Sequence, residues 1–235
     1  MTDPHALRAT MIEAAERQLA TSADGDVATR AVCEAVGVTQ PVLYRLFGDK
    51  RGLLDAVADH GYERYAALKD AQERTGDPVA DLHAGWDGHM AFARENPALY
   101  RLMFTPRPWS RSTAADRVFD LLEATLVRCA AAGALRAAPR TAARLILSAN
   151  VGIALDHIAR PERFDDPALS HGMRDAVFSH VLTAATAPAE EAPLRTTALR
   201  FRAQLELLGT DALEPAEAAL LMRWLERIAR PGEAP

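Results

Sequence analysis

Residues 39–45 carry side chains that could bind the phosphates and base edges of nucleic acid. Thr39 and Tyr44 supply hydroxyl groups, Gln40 supplies an amide, and Arg45 supplies a guanidinium group. Hydroxyl groups, cationic side chains and helix N-termini hold phosphates, whereas Gln and Arg can pair with the edges of adenine and guanine. A short helix that presents these residues outward would therefore form a DNA-reading surface.

Two short helices are needed to position this surface. The sequence predicts one helix over residues 29–36, ended by Gly37, and a second over residues 40–46 with Thr39 as its cap and Pro41 in its first turn. The second helix must be braced from behind by apolar side chains. The residues that can do this are Val32, Val36, Val38, Leu43 and Phe47. Two helices of an ordinary bundle would show the same pattern, and the residues alone leave that alternative open.

The charge distribution favours a local DNA surface over a general affinity for nucleic acid. The chain has 235 residues and a formal net charge of −5 at pH 7, which argues against indiscriminate coating of nucleic acid. Positive charge is concentrated in residues 28–51, the segment of the predicted helix pair. Its cations, which outnumber the acids Glu34 and Asp49, are Arg30, Arg45, Lys50 and Arg51.

The remaining chain is predicted to be helical, so the fold class is all-α. Apolar residues recur at helical spacing between breaks at Pro or Gly, and no run of alternating β-branched residues predicts a strand. The predicted helices outside the central pair span residues 4–21, 50–74, 78–95, 97–104, 113–132, 140–159, 167–186, 191–208 and 215–229. Asp49 can cap the long helix that begins at Lys50.

The helix pair and its flanks resemble the DNA-binding domain of a known family. The residues at matching intervals are Gly37-Val38-Thr39, Leu43-Tyr44, Phe47, Lys50 and Leu53-Leu54. In this spacing the segment Val38 to Val57 is similar to the second half of the DNA-binding domain of the tetracycline-repressor (TetR) family. The resemblance implies a ligand-responsive transcriptional regulator, by family default a repressor that leaves a palindromic operator when a small molecule binds.

The resemblance also implies roles for individual residues toward double-stranded operator DNA. Tyr44 and Lys50 would hold phosphates, and Arg30 would approach the backbone or a base. The residues that would lie in or beside the major groove are Thr39, Gln40 and Arg45, with Pro41 close to the DNA backbone. The chain departs from the family pattern at Leu46, where a histidine is frequent, and at Thr29, which would cap its helix one residue late.

The family architecture implies two domains. Residues 1–48 would form a three-helix helix-turn-helix domain, joined by a long helix to a helical sensor and dimerisation domain in residues 49–235. Residues 190–235 exceed what many relatives carry and are predicted to form an added helical pair. Candidates for an apolar effector pocket, with His89, Asn150 and His157 as polar anchors, are Trp86, Met90, Tyr100, Met103, Phe104 and Trp109. An ordinary helical core would show the same aromatic and Met stripe.

A homodimer is predicted through residues 140–159 and 170–186. From Leu145 to Leu155 only Ser148 and Asn150 are polar, so this helix must be buried on several sides. The family pairs the corresponding helices into an intersubunit four-helix bundle. Burial within one subunit would explain the same pattern and remains the alternative.

Other classes of protein find little support in the sequence. No nucleophile elbow, zinc-protease motif or phosphate-binding Gly-rich loop is present, so no enzymatic activity or cofactor is predicted. Cys33 and Cys129 are far apart, which predicts neither a disulfide framework nor a metal site. The absence of a long apolar run or a secretory signal predicts a cytoplasmic protein that does not enter membranes. The remaining alternative is a helical dimeric binding or adaptor protein without DNA binding.

Overall fold

The computed structural model describes residues 3–22, 25–106, 112–183 and 194–229, and within these ranges the chain is all-α, as predicted. The first helices are α1 (Pro4–Thr21), α2 (Thr29–Val36), α3 (Gln40–Phe47), α4 (Lys50–Asp70), α5 (Pro78–Glu95) and α6 (Pro97–Phe104). The later helices are α7 (Thr113–Ala131), α8 (Pro139–Ala159), α9 (Pro161–Phe164), α10 (Pro167–Val181), α11 (Leu194–Leu208) and α12 (Pro215–Ala229). These ranges contain no strand, only an isolated bridge between Leu135 and Leu182.

The described residues fall into two compact units. The first unit holds the residues up to 72 together with 90–118, and the second holds 73–89 together with those from 119 onward. Helices α5 and α7 therefore contribute to both units. This grouping reflects packing and does not test the division predicted at residues 48 and 49, which concerns function.

The turns around α3 form as the sequence predicts because glycine occupies both left-handed positions. Gly37 ends α2 with φ of 72°, and Gly48 follows α3 with φ of 79°. Asp49 then caps α4 by accepting a hydrogen bond from the Gly52 backbone N–H at 2.8 Å. These local stops keep α3 to eight residues.

Several predicted boundaries are wrong, and two predicted caps lack a side-chain hydrogen bond. Thr39 occupies the N-cap position of α3 and Thr29 is the first residue of α2, but neither side chain makes a capping hydrogen bond. The backbone N–H of Ala28, the N-cap residue of α2, donates to the Gln18 side chain at 2.8 Å, so a residue of α1 satisfies one donor at the start of α2. Helix α4 ends at Asp70 rather than near residue 74, and α10 ends at Val181 rather than at residue 186. The short helix α9 was not predicted because Pro161 there begins a turn of helix instead of only ending one.

In the first unit, α4 packs closely against α6. A Cβ atom at Gly61 would lie 2.8 Å from the Met103 sulfur, so a larger residue there would require the Met103 side chain to move. The Tyr62 hydroxyl donates to the Met103 backbone carbonyl. The Arg64 guanidinium group joins the Glu16 carboxylate at 2.6 Å and the Asn96 side-chain oxygen at 2.9 Å. These contacts tie the middle of α4 to α1 and to the start of α6.

In the second unit, α8 packs against α10 and also meets the short α9. The Arg136 and Thr183 backbone N–H groups donate to the Val181 and Ala134 carbonyls, which joins the segment before α8 to the end of α10. Helix α8 is the one described helix long and apolar enough, by composition, to cross a membrane. Because the core helices of bundles share these properties, its composition alone does not indicate a membrane span.

The helices α11 and α12 form a hairpin with its own apolar contacts. Ala198 and Leu199 of α11 are buried together with Leu225 and Ala229 of α12. The hairpin reaches the rest of the second unit through the Gln204 amide, which donates to the Ala131 carbonyl at 3.3 Å. The predicted C-terminal helical pair is therefore present in the described residues, packed on the end of α7.

Candidate functional site

The exposed face of α3 presents every residue that the sequence predicts at the major groove. The side of α3 that faces the unit is anchored by Leu43, which is fully buried, beside the buried Val32 of α2. Val36, Val38 and Phe47 are half-buried around this anchor. The exposed residues, which together we call the recognition surface, are Thr39, Gln40, Pro41, Tyr44 and Arg45. A short rigid helix that exposes hydroxyl, amide and guanidinium groups is suited to enter a DNA groove.

Two of the cations predicted to contact DNA are paired with acids. The Lys50 ammonium group lies 2.5 Å from the Asp26 carboxylate. The Arg30 guanidinium group lies 2.8 Å from Glu34, one helical turn further along α2. The Arg30 pair is largely exposed and the Lys50 pair is about half-exposed, and such surface pairs contribute only about 0–1 kcal/mol. DNA phosphates can therefore replace these carboxylates at small cost.

Sequence reasoning missed two residues of this region. Asp26 was not expected beside Lys50, because 24 residues separate them. Arg8 of α1 places its guanidinium group over the Phe47 ring, 5.2 Å from the centroid, and so adds a cation at the end of α3. No local motif signals either contact, since both depend on how α1 and the loop before α2 fold against α3 and α4.

Four of the described residues predicted to bind a ligand belong to the first unit, and two of them, Tyr100 and Phe104, form an aromatic cluster with Tyr62 of α4. Tyr100 and Phe104 stack at 4.4 Å, and Phe104 meets Tyr62 edge to face at 5.3 Å. Met103 and Met90 are buried. Burial raises the pKa of Tyr100 well above its usual range, so its hydroxyl stays neutral. This cluster is an apolar core in contact with α4.

In the second unit, polar groups are buried around an indole ring. We define the Trp86 cluster as Trp86, Ser170, Asn150 and Phe178. The Trp86 indole N–H donates to the Ser170 hydroxyl at 3.0 Å, and Phe178 meets the ring edge to face at 6.0 Å. The Asn150 amide N–H donates weakly to the Trp86 carbonyl at 3.5 Å. The Asn150 side-chain oxygen is buried without a hydrogen-bond partner among the described residues.

The remaining predicted ligand-binding residues are not brought together. His89 is buried in α5. His157 lies two turns beyond Asn150 on α8, where its Nδ1 is 3.3 Å from the Phe164 carbonyl and 3.7 Å from the Asp165 carboxylate. These contacts connect α8 to α9 rather than to the Trp86 cluster. Trp109 lies outside the described residues.

Two sequence-family models match this chain, each over a different segment. Residues 11–57 match the model for bacterial regulatory proteins of the tetR family. Residues 82–184 match the model for the tetracyclin repressor-like C-terminal domain. The second match ends before α11 begins, so α11 and α12 lie beyond it. No curated protein matches the chain.

Solved structures of regulators share the fold at low sequence identity. A TetR-family regulator from Shewanella sp. PV-4 has 15% identity and a TM-score of 0.59, over 76% of this chain and 99% of its own. A variant of TetR from Acinetobacter baumannii AYE, solved with minocycline, has 24% identity and a TM-score of 0.54, over 73% and 94%. NalD, the secondary repressor of the MexAB-OprM multidrug efflux pump in Pseudomonas aeruginosa, has 16% identity and a TM-score of 0.54, over 78% and 100%.

These matches define an all-α regulatory protein with an N-terminal helix-turn-helix and a helical C-terminal domain. The chain belongs to the TetR family of ligand-responsive transcriptional regulators. The family prediction is thereby confirmed, and a non-enzymatic function follows from it. Members of the family bind operator DNA as dimers, bind small-molecule effectors and act in the cytoplasm.

Proposed function

We propose that this protein is a cytoplasmic repressor that binds a palindromic operator through the recognition surface and leaves it when a small molecule binds the C-terminal domain. The observation that carries the proposal is the construction of α3. Its polar side chains are exposed while Leu43 behind them is fully buried. Gln40 and Arg45 would contact base edges, with Thr39 beside them in the groove and Pro41 close to the DNA backbone. Tyr44, Lys50 and Arg30 would bind phosphates.

A second copy of the chain would pair through the predicted dimerisation helices. Leu145 on α8 and Leu169 and Met173 on α10 are each about 40% exposed, although α8 and α10 pack against each other. A side chain at Gly152 or Gly172 would meet no atom of the same chain within 4 Å. Apolar and small residues on one face suit close approach of a partner's helices. This supports a homodimer through 140–159 and the described part of 170–186.

A two-fold dimer would impose the geometry of the operator. Two recognition helices must lie roughly 34–36 Å apart to enter successive major grooves, and the half-sites must be inverted copies. A small displacement of either helix therefore lowers the affinity for DNA. This makes the path from the effector to α4, which begins at Lys50, central to the mechanism.

The Trp86 cluster supports an effector with an apolar body and a hydrogen-bond donor. A buried polar atom without a partner costs about 1–3 kcal/mol, so an effector that donates to the Asn150 oxygen would recover this free energy. Trp86 and Phe178 would supply apolar contact area. The neighbouring structure from A. baumannii was solved with a small molecule, minocycline.

Within the first unit, α6 supports a route to the DNA-binding residues. Met103 and Tyr100 lie on α6, which packs against α4 through Gly61 and Tyr62. A shift of α6 would press on α4, because Met103 already lies against Gly61. The hydrogen bonds of Arg64 to Glu16 and Asn96 would carry the same movement to α1.

The proposal is tested by capturing random double-stranded DNA with the full-length protein and sequencing the captured fraction. We expect enrichment of an inverted repeat whose half-site centres lie about one helical turn apart. Binding to that site, measured by fluorescence anisotropy, should fall steeply as salt increases. A folded dimer that enriches no sequence and shows no salt-dependent binding would instead be the adaptor protein of the alternative.

A further inference from the structure

The second unit contains a cleft of about 370 Å³ between the C-terminal hairpin and the helices α7 and α8. Its volume lies within the roughly 300–1,000 Å³ range of small-molecule sites. Leu199 and Ala203 of α11 and Val127 of α7 give it an apolar lining. Because α11 and α12 lie beyond the matched C-terminal family domain, this cleft depends on the added hairpin.

The charged residues of the cleft favour an anion. Its charged lining consists of four arginines and three glutamates, Arg140, Arg144, Arg195, Arg202, Glu123, Glu206 and Glu226. Arg140 is neutralised by Glu123 at 2.9 Å, and Arg195 donates to the Ala229 carbonyl at 2.9 Å. Arg144 and Arg202 have no ion-pair or hydrogen-bond partner among the described residues. Two arginines on different helices are thus available to one ligand.

The first turn of α8 adds to this positive potential. Residues 138–141 line the cleft, and α8 begins there with Ala138 as its N-cap. Ala138 has no side chain that can accept the first backbone N–H groups, and no side chain of the described residues caps this end. The N-terminus of a 21-residue helix carries a partial positive charge and favours anions.

We propose that this cleft, which we call the arginine cleft, binds a small amphipathic anion. Arg144, Arg202 and the first turn of α8 bind a carboxylate or phosphate group of the ligand, and Leu199, Ala203 and Val127 contact its apolar part. The arginine cleft shares no residue with the Trp86 cluster. It does not rest on the proposed DNA-binding function, because its occupancy is measured directly.

The experiment titrates the full-length, ¹⁵N-labelled protein with octanoate, octyl phosphate and 1-octanol and follows chemical shifts. We expect saturable shifts of the Arg140 and Thr141 backbone amides and the Arg144 and Arg202 side-chain Nε–H groups with at least one of the two anions. The anion that causes the shifts identifies the head group that the cleft binds. 1-Octanol should leave these signals unchanged, because it has the same apolar chain without the charge.

Two double variants separate the arginine cleft from general charge effects. Arg144→Gln with Arg202→Gln should raise the dissociation constant at least tenfold at the remaining Arg140 and Thr141 signals. The double variant Arg163→Gln with Arg223→Gln removes two exposed arginines that do not line the cleft. It should leave the dissociation constant unchanged. Circular dichroism checks the fold. If the first double variant unfolds, each single variant should weaken binding at least threefold.

Three results would overturn the arginine cleft. The first is the absence of saturable shifts with both anions, and the second is an equal response to 1-octanol. The third is unchanged binding in folded variants of Arg144 and Arg202. None of these results bears on whether the protein binds DNA.

Discussion

Polar side chains are exposed on the recognition surface but buried in the Trp86 cluster. On α3, the amide of Gln40 and the guanidinium of Arg45 face solvent, and only Leu43 is buried. Around Trp86, the polar groups are buried, and the indole N–H depends on the Ser170 hydroxyl as its acceptor. Changes on α3 should therefore alter DNA binding while leaving folding intact. Changes around Trp86 should alter folding first.

The largest effect that this contrast predicts is the cost of removing a buried indole. Trp86 is 2% exposed, so Trp86→Ala should lower the free energy of unfolding by about 3–5 kcal/mol. Trp224 of α12 is 51% exposed and provides a matched control. Trp224→Ala should cost less than about 1 kcal/mol. Urea unfolding measures both changes, and equal costs would contradict the packing described for the Trp86 cluster.

Two substitutions of polar residues in the Trp86 cluster should change the free energy of unfolding by different amounts. Ser170→Ala leaves the Trp86 indole N–H without its acceptor and should cost about 1–3 kcal/mol of stability. Asn150→Leu removes an oxygen that has no partner in the described chain and should change stability by less than about 1 kcal/mol. Urea unfolding compares the two variants. If Asn150→Leu is the more costly change, its amide is a structural group and does not await an effector.

On the recognition surface, base contacts and phosphate contacts should separate. Gln40→Ala should relax the preference for one operator base pair by about 1–3 kcal/mol. Tyr44→Phe and Lys50→Ala should instead weaken binding to all operator variants by about the same factor. Anisotropy titrations on a panel of single-base operator variants measure this. Uniform losses for all three proteins would refute the assigned roles, and wild-type thermal stability is the control for folding.

The turns around the recognition surface could be predicted from the sequence, whereas the hydrogen bond in the Trp86 cluster could not. Gly37, Gly48 and Asp49 determine the turns on either side of α3 through backbone conformation and a cap within three residues, so the helix-turn-helix follows from neighbouring residues. The Ser170 hydroxyl lies 84 residues from Trp86, and no helical spacing predicts that pairing. Thr39 occupies the predicted N-cap position of α3 without a side-chain hydrogen bond, because a suitable residue type does not by itself ensure that bond.

The partly buried ion pair between Arg64 and Glu16 should contribute more stability than the exposed pair between Arg17 and Glu13. Both pairs involve a glutamate of α1. Arg64 bonds to Glu16 at 2.6 Å and to Asn96, whereas Arg17 lies 3.8 Å from Glu13 in an exposed pair. Arg64→Lys cannot keep both bonds and should cost about 1–2 kcal/mol of stability. Arg17→Lys should cost less than about 0.5 kcal/mol. Thermal unfolding distinguishes the two, and a silent Arg64→Lys would remove Arg64 from the proposed route between α4 and α1.

The smallest predicted effect concerns the carboxylate beside Lys50. Asp26→Asn frees the Lys50 ammonium group from its ion pair and removes a negative charge near the DNA. Affinity for every sequence should therefore rise, by about 0.2–1 kcal/mol, the range of an exposed pair. Anisotropy at low salt measures the gain, with Asp166→Asn in the second unit as a control. A loss of affinity would mean that Asp26 positions Lys50 rather than competing for it.

Whether α3 reads the operator sequence is measured by DNA titrations of the wild-type protein and of the Gln40→Ala, Arg45→Ala double variant across a range of salt concentrations. We expect the double variant to remain a folded dimer that still binds DNA in a salt-dependent manner but no longer distinguishes the captured operator from random duplex. Discrimination as strong as that of the wild type would show that α3 does not read the operator sequence.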